Sequence, residues 1–528
     1  MCSFIFTMTS LRDLLLAAIK SLSRGRSFLQ ALLAFCTTSN APSPASHDAI
    51  QEPGKNGPIL ITEFLAEVER LLLVSAIPNR LGGLSQKLKL EFREGLLSNP
   101  ACMLPSYHTE LPTGDESGQY LAVDVGGSTL RVALVDLKGR GSSGCPESRI
   151  VTMDTFGIDN DIRSLEGRAF FDWMAERIYQ TVAQDSKKGH GPDEPLLLGL
   201  SWSFPIEQTS PQTYLLRPMG KGFLAADDGL LGQDLGQIIQ SSCRNLNLHV
   251  SLSAIVNDSS ATLLSAAYSH PATTTFGLVL GTGVNIAAHL PICTISTEKY
   301  GNHHPQDGAT HVVVNTELGM FGGNSLPLTK WDGLLKSAHP RPDFQPLEHL
   351  VSGYYLGEVC RLILVDAIAS VGGVFGGVVP PSLARAYGLD TKTLSLIEGD
   401  PSPSLSHFQS LHPSPIPATT TDLHLLRSIA SLVSQRSASI LAASLYALHE
   451  INLEASLSAQ PPSPERTTAT TTTIAYSGSV IEHYPNYLSH LQRFLDELTV
   501  NSNTSFKLIS AKESSVLGAA VALACLDK

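Results

Sequence analysis

Between Tyr120 and Leu137 the chain reads YLAVDVGGSTLRVALVDL, two apolar, β-branched runs on either side of Gly126-Gly127. Such residues favour strands and a glycine pair favours a tight bend, so the stretch predicts a hairpin. The design returns in TTFGLVLGTGVNIAAHL (274–290), with Gly281-Thr282-Gly283 at the bend. PLLLGLSWSFP (195–205) predicts a buried strand ending in a loop, and LHVSLSAIVNDSSATLLSAAY (248–268) a strand, a loop and then a helix. In LHLLRSIASLVSQRSASILAASLYALHEI (423–451) apolar and small residues recur at helical spacing, which predicts a long core helix. Two glycine-turn hairpins among alternating strands and helices imply a duplicated α/β unit with a cleft between its halves.

Three stretches break this pattern. Residues 37–58, 399–422 and 458–473 are rich in Pro, Ser and Thr and poor in apolar residues, so they predict a linker and two mobile surface insertions. The run Thr470–Thr473 and the pair His303-His304 are read as loop surface. Ahead of the first linker, Arg12, Lys20, Arg24 and Arg26 face one acid, Asp13, across helically spaced apolar residues. No run there approaches the ~20 apolar residues of a membrane span, and there is no secretory cleavage pattern. The plain reading is a docking helix with a loose start. The sharper one is a basic amphipathic anchor on a membrane surface, the mitochondrial outer face in particular.

At 528 residues the chain exceeds one ordinary core. A net charge of −12 argues against a nucleic-acid binder, whose footprint would be a basic face. An acidic protein that handles phosphates must concentrate positive potential locally, in glycine loops, helix ends and a metal. The eight cysteines show neither C-x-x-C pairs nor zinc-finger spacing, which points to thiols in a reducing compartment and so to the cytoplasm.

Glycine bends admit anions because backbone N–H groups can approach closely where Cβ is missing. Taken singly, each feature has a plainer reading. Gly-Gly is an ordinary turn, Asp258 could simply cap a helix starting near Ser259, and Glu317 or Glu348 could be surface acids. Their order along the chain is more telling. From Met103 onward, MLPSYHTELPTGDESGQYLAVDVGGSTLRVALVDL, LGLSWSFPIEQTS, GKGF, IVNDSSATLLSAAY, LGTGVNIAAH, VNTELGMFG, LEHLVSGYYLGEVCRLIL, YSGSVIEHYP and AKESSVLGAAVALA follow in sequence. In these segments the chain resembles the hexokinase family.

The resemblance implies a two-lobed α/β fold of the actin-like, ribonuclease H-like ATPase type, with a cleft between a small and a large domain. Its expected organisation is an N-terminal segment and linker at 1–58, helices packing on the large domain at 59–113, the small domain at 114–256 and the large domain at 257–528, with the last helix returning to the small domain. It implies ATP-dependent transfer of a phosphoryl group to a sugar 6-hydroxyl, with ATP and Mg²⁺ as cofactors. Asp258 would be the base and Lys221 would reach the sugar and the developing charge. Ser203, Asn257, Asn285, Glu317 and Glu348 would ring the sugar. Asp124 would hold Mg²⁺, and Arg131 belongs with the nucleotide-binding residues. Gly126, Gly127, Ser128, Thr129, Gly281, Thr282 and Gly283 would cradle phosphates, while Gly478, Ser479 and Ser515 would line the nucleoside. A loose phosphoryl-transfer transition state asks for this kind of positioning and charge neutralisation.

The sequence departs from the glucose-phosphorylating pattern at Ser128-Thr129-Leu130, Gly220, Leu318, Ser477-Gly478-Ser479 and Glu513-Ser514-Ser515-Val516. These departures look like the fungal N-acetylglucosamine kinase branch. Smaller residues at 220 and 318 would make room for a 2-acetamido group, since overpacking costs about 1–3 kcal/mol. The expected product is N-acetylglucosamine 6-phosphate, made by a monomer or homodimer in the cytoplasm or at the mitochondrial surface. Glucose phosphorylation, a catalytically silent regulator that binds sugar or nucleotide, and a chaperone-like or actin-like ATPase are the alternatives. The SWSFP, GKGF and ELGMFG segments speak against the last.

Overall fold

The computed structural model describes residues 60–141, 144–183, 194–210, 212–220, 222–226, 229–271, 273–300, 308–458 and 470–526. The N-terminal segment, Lys221, His303-His304 and most of 458–473 lie outside them, as do the expectations attached to those residues.

Apolar residues at Phe64, Val68 and Leu72 share one face of α1 (Ile61–Leu72), and all three are buried. Helix α2 (Pro78–Leu97) buries Leu81, Leu88, Phe92 and Leu96 in the same way. The chain then builds two sheets. In the first, β1 (Ser117–Val125), β2 (Thr129–Arg140) and β3 (Pro146–Gly157) form an antiparallel meander. Helix α3 (Arg168–Ala183) leads to β4 (Leu196–Trp202), and α4 (Leu235–Arg244) to β5 (Val250–Val256), both strands adding in parallel in the order β3-β2-β1-β4-β5.

After β5 comes α5 (Asp258–Ser269), and the pattern repeats. Strands β6 (Thr274–Leu280), β7 (Val284–Pro291) and β8 (His311–Asn315) form a second antiparallel meander. Helices α6 (Gly353–Ser370) and α7 (Thr420–Ser458) precede β9 (Thr470–Ser477), which runs parallel to β6 and to β10 (Thr504–Ser510). The order β8-β7-β6-β9-β10 matches the first sheet strand for strand, as a duplicated unit requires; the short strand Leu104–Pro105 is added at its edge. The chain closes with α8 (Ser514–Leu526).

Helices α5 and α8 lie between the sheets, within a core of small residues that includes Ala122, Ala254, Ala261, Ala287, Ala519 and Ala520. Glycine makes the contacts. A Cβ added to Gly199 of β4 would stand 2.2 Å from the Ala519 carbonyl oxygen of α8. One on Gly518 of α8 would stand 2.0 Å from the Ala261 oxygen of α5, and one on Gly277 of β6 would stand 2.3 Å from the Ser259 oxygen. Sheet, helix, helix and sheet thus touch backbone to backbone.

Two expectations need correcting. Residues 399–422 are packed rather than loose: Leu405, Phe408 and His412 are buried around a short helix, Ser406–Leu411, and Asp422 accepts hydrogen bonds from Thr419 N (2.8 Å) and Phe375 N (3.0 Å). Their few apolar residues are spaced to face inward, and the Pro/Ser/Thr content hid this. Thr470–Thr473 begin β9 instead of a loop, because β-branched threonines suit a strand between two parallel neighbours, and Thr472 and Thr473 are buried.

Gly518→Ala gains about 1 kcal/mol of helix propensity. It loses about 3 kcal/mol or more by forcing α5 and α8 apart. The variant is expected to melt several degrees below the wild type in a thermal denaturation scan; an unchanged or raised melting temperature would contradict the contact.

Candidate active site

The first hairpin holds its bend with several local bonds. Gly126 N donates to Thr129 O (3.0 Å), Ile158 N to Ser128 O (2.8 Å), and Arg163 Nη2 to Gly127 O (3.0 Å). Ser203 N donates to Val125 O (3.2 Å), which stitches the Ser-Phe-Pro segment to the end of β1. Asp124 lies one strand-pair from the bend, opposite Arg131 in register, with Arg131 Nε 3.5 Å from its carboxylate. Arg131 Nη1 also donates to Glu513 (3.1 Å), just before α8.

The second hairpin has its own supports. Gly281 N donates to Gly283 O (3.0 Å), while Gly281 O and Thr282 O accept from Gly353 N (2.9 Å) and Tyr354 N (3.0 Å) at the start of α6. A Cβ on Gly283 would stand 2.8 Å from one Glu348 carboxylate oxygen, and one on Gly319 would stand 2.9 Å from the other. Glu348 therefore sits between the Gly281–Gly283 bend and the segment that follows Glu317. Gly478 has φ +121°, and its Cα lies 3.9 Å from the position a Gly281 Cβ would take. Ser479 N and Oγ lie 3.5 Å from the same point.

Between the hairpins runs a chain of amides. Asn257 caps α5 by accepting from Ser259 N (3.0 Å) and Ser259 Oγ (2.8 Å), and it also accepts from Asn285 Nδ2 (3.2 Å). Asn285 Nδ2 donates in turn to Asn315 Oδ1 (2.8 Å), and Asn315 Nδ2 to Glu317 Oε1 (2.8 Å). Glu317 occupies the left-handed region at φ +50°, a conformation that costs a side-chain-bearing residue energy and is held here by the bond from Glu317 N to Asn315 (3.3 Å). Asp258, the first residue of α5, presents its carboxylate at the positive end of the helix.

Asn257 caps α5, and the Asp258 carboxylate beside it also accepts from Ser259 N (2.7 Å), which holds it at the head of the helix. Asp124, Arg131 and Glu513 converge on one side, and Asn257, Asn285, Glu317 and Asp258 on the other. Ser515 lies in the first turn of α8, next to Ser514, whose hydroxyl is 3.0 Å from Thr262 of α5. Thr129 opens β2 and Ser128 is exposed at the bend. Leu318 does not line a cleft: its side chain is wholly buried in the core, with its amide donating to Asn285 (3.2 Å), so it makes no room for a sugar substituent. Asn315 and Arg163 complete the site without having been singled out from sequence, and Glu513, noted there only as a departure from the family pattern, joins them. Asn315 stands two residues before Glu317 in a segment already identified, whereas Arg163 has no motif around it.

Burial pushes the Asp124 carboxyl up to about 6; Arg131 opposes the rise, and the negative charges of Asp258 and Glu513 add to it. The two aspartates therefore feel one another across the site. One buried carboxylate plus phosphate oxygens is the hard, partial donor set that Mg²⁺ accepts. Among the described residues no three His, Cys, Asp or Glu side chains gather to hold an ion unaided.

Comparison with known proteins bears on this arrangement. Two hexokinase family models match residues 67–268 and 275–525. The hexokinase of Kluyveromyces lactis is 31% identical over 437 residues, covering 81% of this chain and 84% of that protein. The chain belongs to the hexokinase family. Hexokinase-2 of Candida albicans is 29% identical over 435 residues, with the same coverage. The structure of a hexokinase from Schistosoma mansoni complexed with glucose matches this chain with a TM-score of 0.71 at 27% identity, covering 88% of this chain and 100% of that one. The fold is the two-lobed hexokinase-type ATPase fold, and the chain is a hexokinase-type sugar kinase, a class that uses ATP with Mg²⁺.

Because the Asp124 carboxyl rises from 3.8 to about 6, the folded protein retains a proton that the unfolded chain has already released. The resulting penalty is absent below about pH 4, grows between about pH 4 and 6, and stays constant above that range. In metal-free buffer at neutral pH, Asp124→Asn is expected to stabilise the fold by on the order of 2–3 kcal/mol, with the gain vanishing near pH 4 and turnover lost. Melting curves from pH 4 to 8 check this; a destabilised variant at neutral pH would contradict it.

Proposed function

We propose that this protein transfers the γ-phosphoryl group of ATP to the 6-hydroxyl of N-acetylglucosamine. The observation that carries the kinase part is the Asn257–Asn285–Asn315–Glu317 chain, which ends beside Asp258 and lies between two glycine hairpins. Sugar hydroxyls are both donors and acceptors, and a site that binds them without water must pair each one. The amide chain, Glu348 and Ser203 offer such pairing.

In the reaction, Asp258 accepts the proton of the 6-hydroxyl as that oxygen attacks the γ-phosphorus. The bond to the β,γ-bridging oxygen breaks, leaving ADP and the sugar 6-phosphate, and the proton leaves Asp258 for solvent. The hairpin amides hold the phosphates in line, Lys221 offsets the growing charge, and closing the cleft excludes water, the competing acceptor. Asp124 would hold Mg²⁺, which when bound neutralises phosphate charge.

The acetamido preference rests on Gly220 and on the sequence departures. Gly220 has φ +69° with nothing within 4 Å of an added Cβ, which leaves space beside the Lys-Gly-Phe loop. Glucose is the second reading, favoured by the glucose complex of the Schistosoma relative and by the burial of Leu318.

Purified protein with ATP and Mg²⁺ is expected to release ADP faster with N-acetylglucosamine than with glucose, and Asp258→Ala to lower turnover about 10²–10⁴-fold. Gly220→Thr should lower the acetamido-to-glucose ratio of kcat/KM about 5- to 100-fold, in line with a 1–3 kcal/mol overpacking cost. Taking the ratio within one variant cancels general damage. Turnover on glucose alone would refute the acetamido reading, and turnover on neither sugar would refute the kinase reading.

A further inference from the structure

Arg163 bonds to two loops that lie far apart in sequence. It ends a single helical turn, Asn160–Arg163, capped by Asp159, whose carboxylate accepts from Ile162 N (3.0 Å). Arg163 Nη2 donates to Gly127 O (3.0 Å) at the first glycine bend. Its own carbonyl accepts from Leu224 N (3.0 Å), and Leu224 O accepts from Gly167 N (3.4 Å). The turn at 220–224, closed by Phe223 N donating to Gly220 O (3.0 Å), is therefore held by the residue that clamps the bend.

The side chain is half-buried and engaged on several sides. Its Nη1 is 3.5 Å from Asn160 Oδ1, and its guanidinium carbon lies 6.0 Å from the centre of the Phe223 ring, within cation–π range. Phe223 is buried edge-on against Phe204 (4.9 Å), the middle residue of the Ser-Phe-Pro segment. A planar guanidinium fork can serve a carbonyl, an amide and a ring together, which an ammonium group cannot. At the bend this has a further effect. A trans peptide is planar, so the Gly127 carbonyl and the Ser128 N–H point in opposite directions. Holding Gly127 O from one side turns the Ser128 N–H to the other, as a phosphate cradle requires. Ile158 N, donating to Ser128 O (2.8 Å), clamps the next peptide in the same way.

Each loop also has supports of its own: Gly126 N to Thr129 O (3.0 Å) in the bend, and the Phe223–Phe204 contact in the turn. Removing the guanidinium leaves both loops formed and loosens the link between them. We propose that Arg163 is a positioning residue, which sets the spacing between the bend that holds the donor's phosphates and the turn in whose sequence Lys221 falls. This rests on the reading of those loops as donor and acceptor sites. Their spacing matters when a sugar oxygen and the γ-phosphorus must meet in line, so its loss falls on the chemical step rather than on the binding of either substrate.

Two measurements on the full-length protein test this. In turnover, Arg163→Ala is expected to lower kcat about 10- to 100-fold. KM for the sugar, KM for ATP and Kd for Mg-ADP should stay within about threefold of wild type. In a Lys221→Ala background the same substitution should cost less than about threefold further, because both act through one loop. Arg163→Lys, which keeps the charge but not the planar fork, should also lose kcat and leave KM alone. In hydrogen exchange without sugar, Mg-ADP should slow exchange in the peptide 220–224 of the wild type and not of Arg163→Ala. Losses that multiply in the double variant would overturn the proposal, as would full activity in Arg163→Lys. So would protection by Mg-ADP that persists in Arg163→Ala or is absent from the wild type. Lost Mg-ADP binding in Arg163→Ala would make the arginine a phosphate ligand and equally refute it. Wild-type protein that phosphorylates no sugar yet shows the Arg163-dependent protection would sink the kinase reading and leave this one standing.

Discussion

The site depends on how closely two helices can lie between two sheets. At Gly199, Gly518 and Gly277 backbone meets backbone where any Cβ would stand 2.0–2.3 Å from a carbonyl oxygen. Small residues along α5 and α8 extend the contact. Because α5 is pinned on both sides, its first turn is pinned too, and that turn carries Asn257 and Asp258. Because α8 is pinned, Glu513 just ahead of it reaches Arg131 across from the first hairpin. A wider spacing of the helices would separate the groups that the chemistry needs together.

Charge is managed within that frame by pairing rather than by excess. The chain is acidic overall, yet the hairpin bends offer backbone N–H groups, and Arg131 sits between two carboxylates. Asp124 bears the cost: burial raises its pKa, so it is poised to gain a cation. The other side is built differently, from neutral amides linked end to end, with Glu317 held in a left-handed backbone by Asn315. Rigid amides and strained glutamate backbone are features of preorganisation, which reduces what the protein must rearrange when a substrate arrives.

Much of this was legible in the chain. Both hairpins, the strand before Ser203, the helix beginning at Asp258 and the long helix α7 follow from local pattern, since apolar spacing and glycine placement report backbone geometry directly. The family motifs supplied the candidate residues. What was not legible depends on contacts far apart in sequence. Arg131 finds Glu513 some 380 residues away, and Arg163 finds the Gly127 carbonyl without any motif to announce it. Leu318 follows a site glutamate yet turns into the core, because the left-handed backbone at Glu317 redirects the chain. Composition misled at 399–422 and at Thr470–Thr473, where three or four well-placed residues outweighed a Pro/Ser/Thr-rich background.

The central claim is that the α5–α8 pair sets Asp258 where a sugar 6-hydroxyl meets phosphates held by both hairpins. A crystal structure of the protein with N-acetylglucosamine and a non-hydrolysable ATP analogue tests it directly. The account predicts the 6-oxygen within about 2.6–3.2 Å of the Asp258 carboxylate, facing the γ-phosphate, with the Asn285 and Glu317 side chains on the remaining hydroxyls. A sugar bound with another hydroxyl at Asp258, or phosphates seated away from Gly281–Gly283, would contradict it.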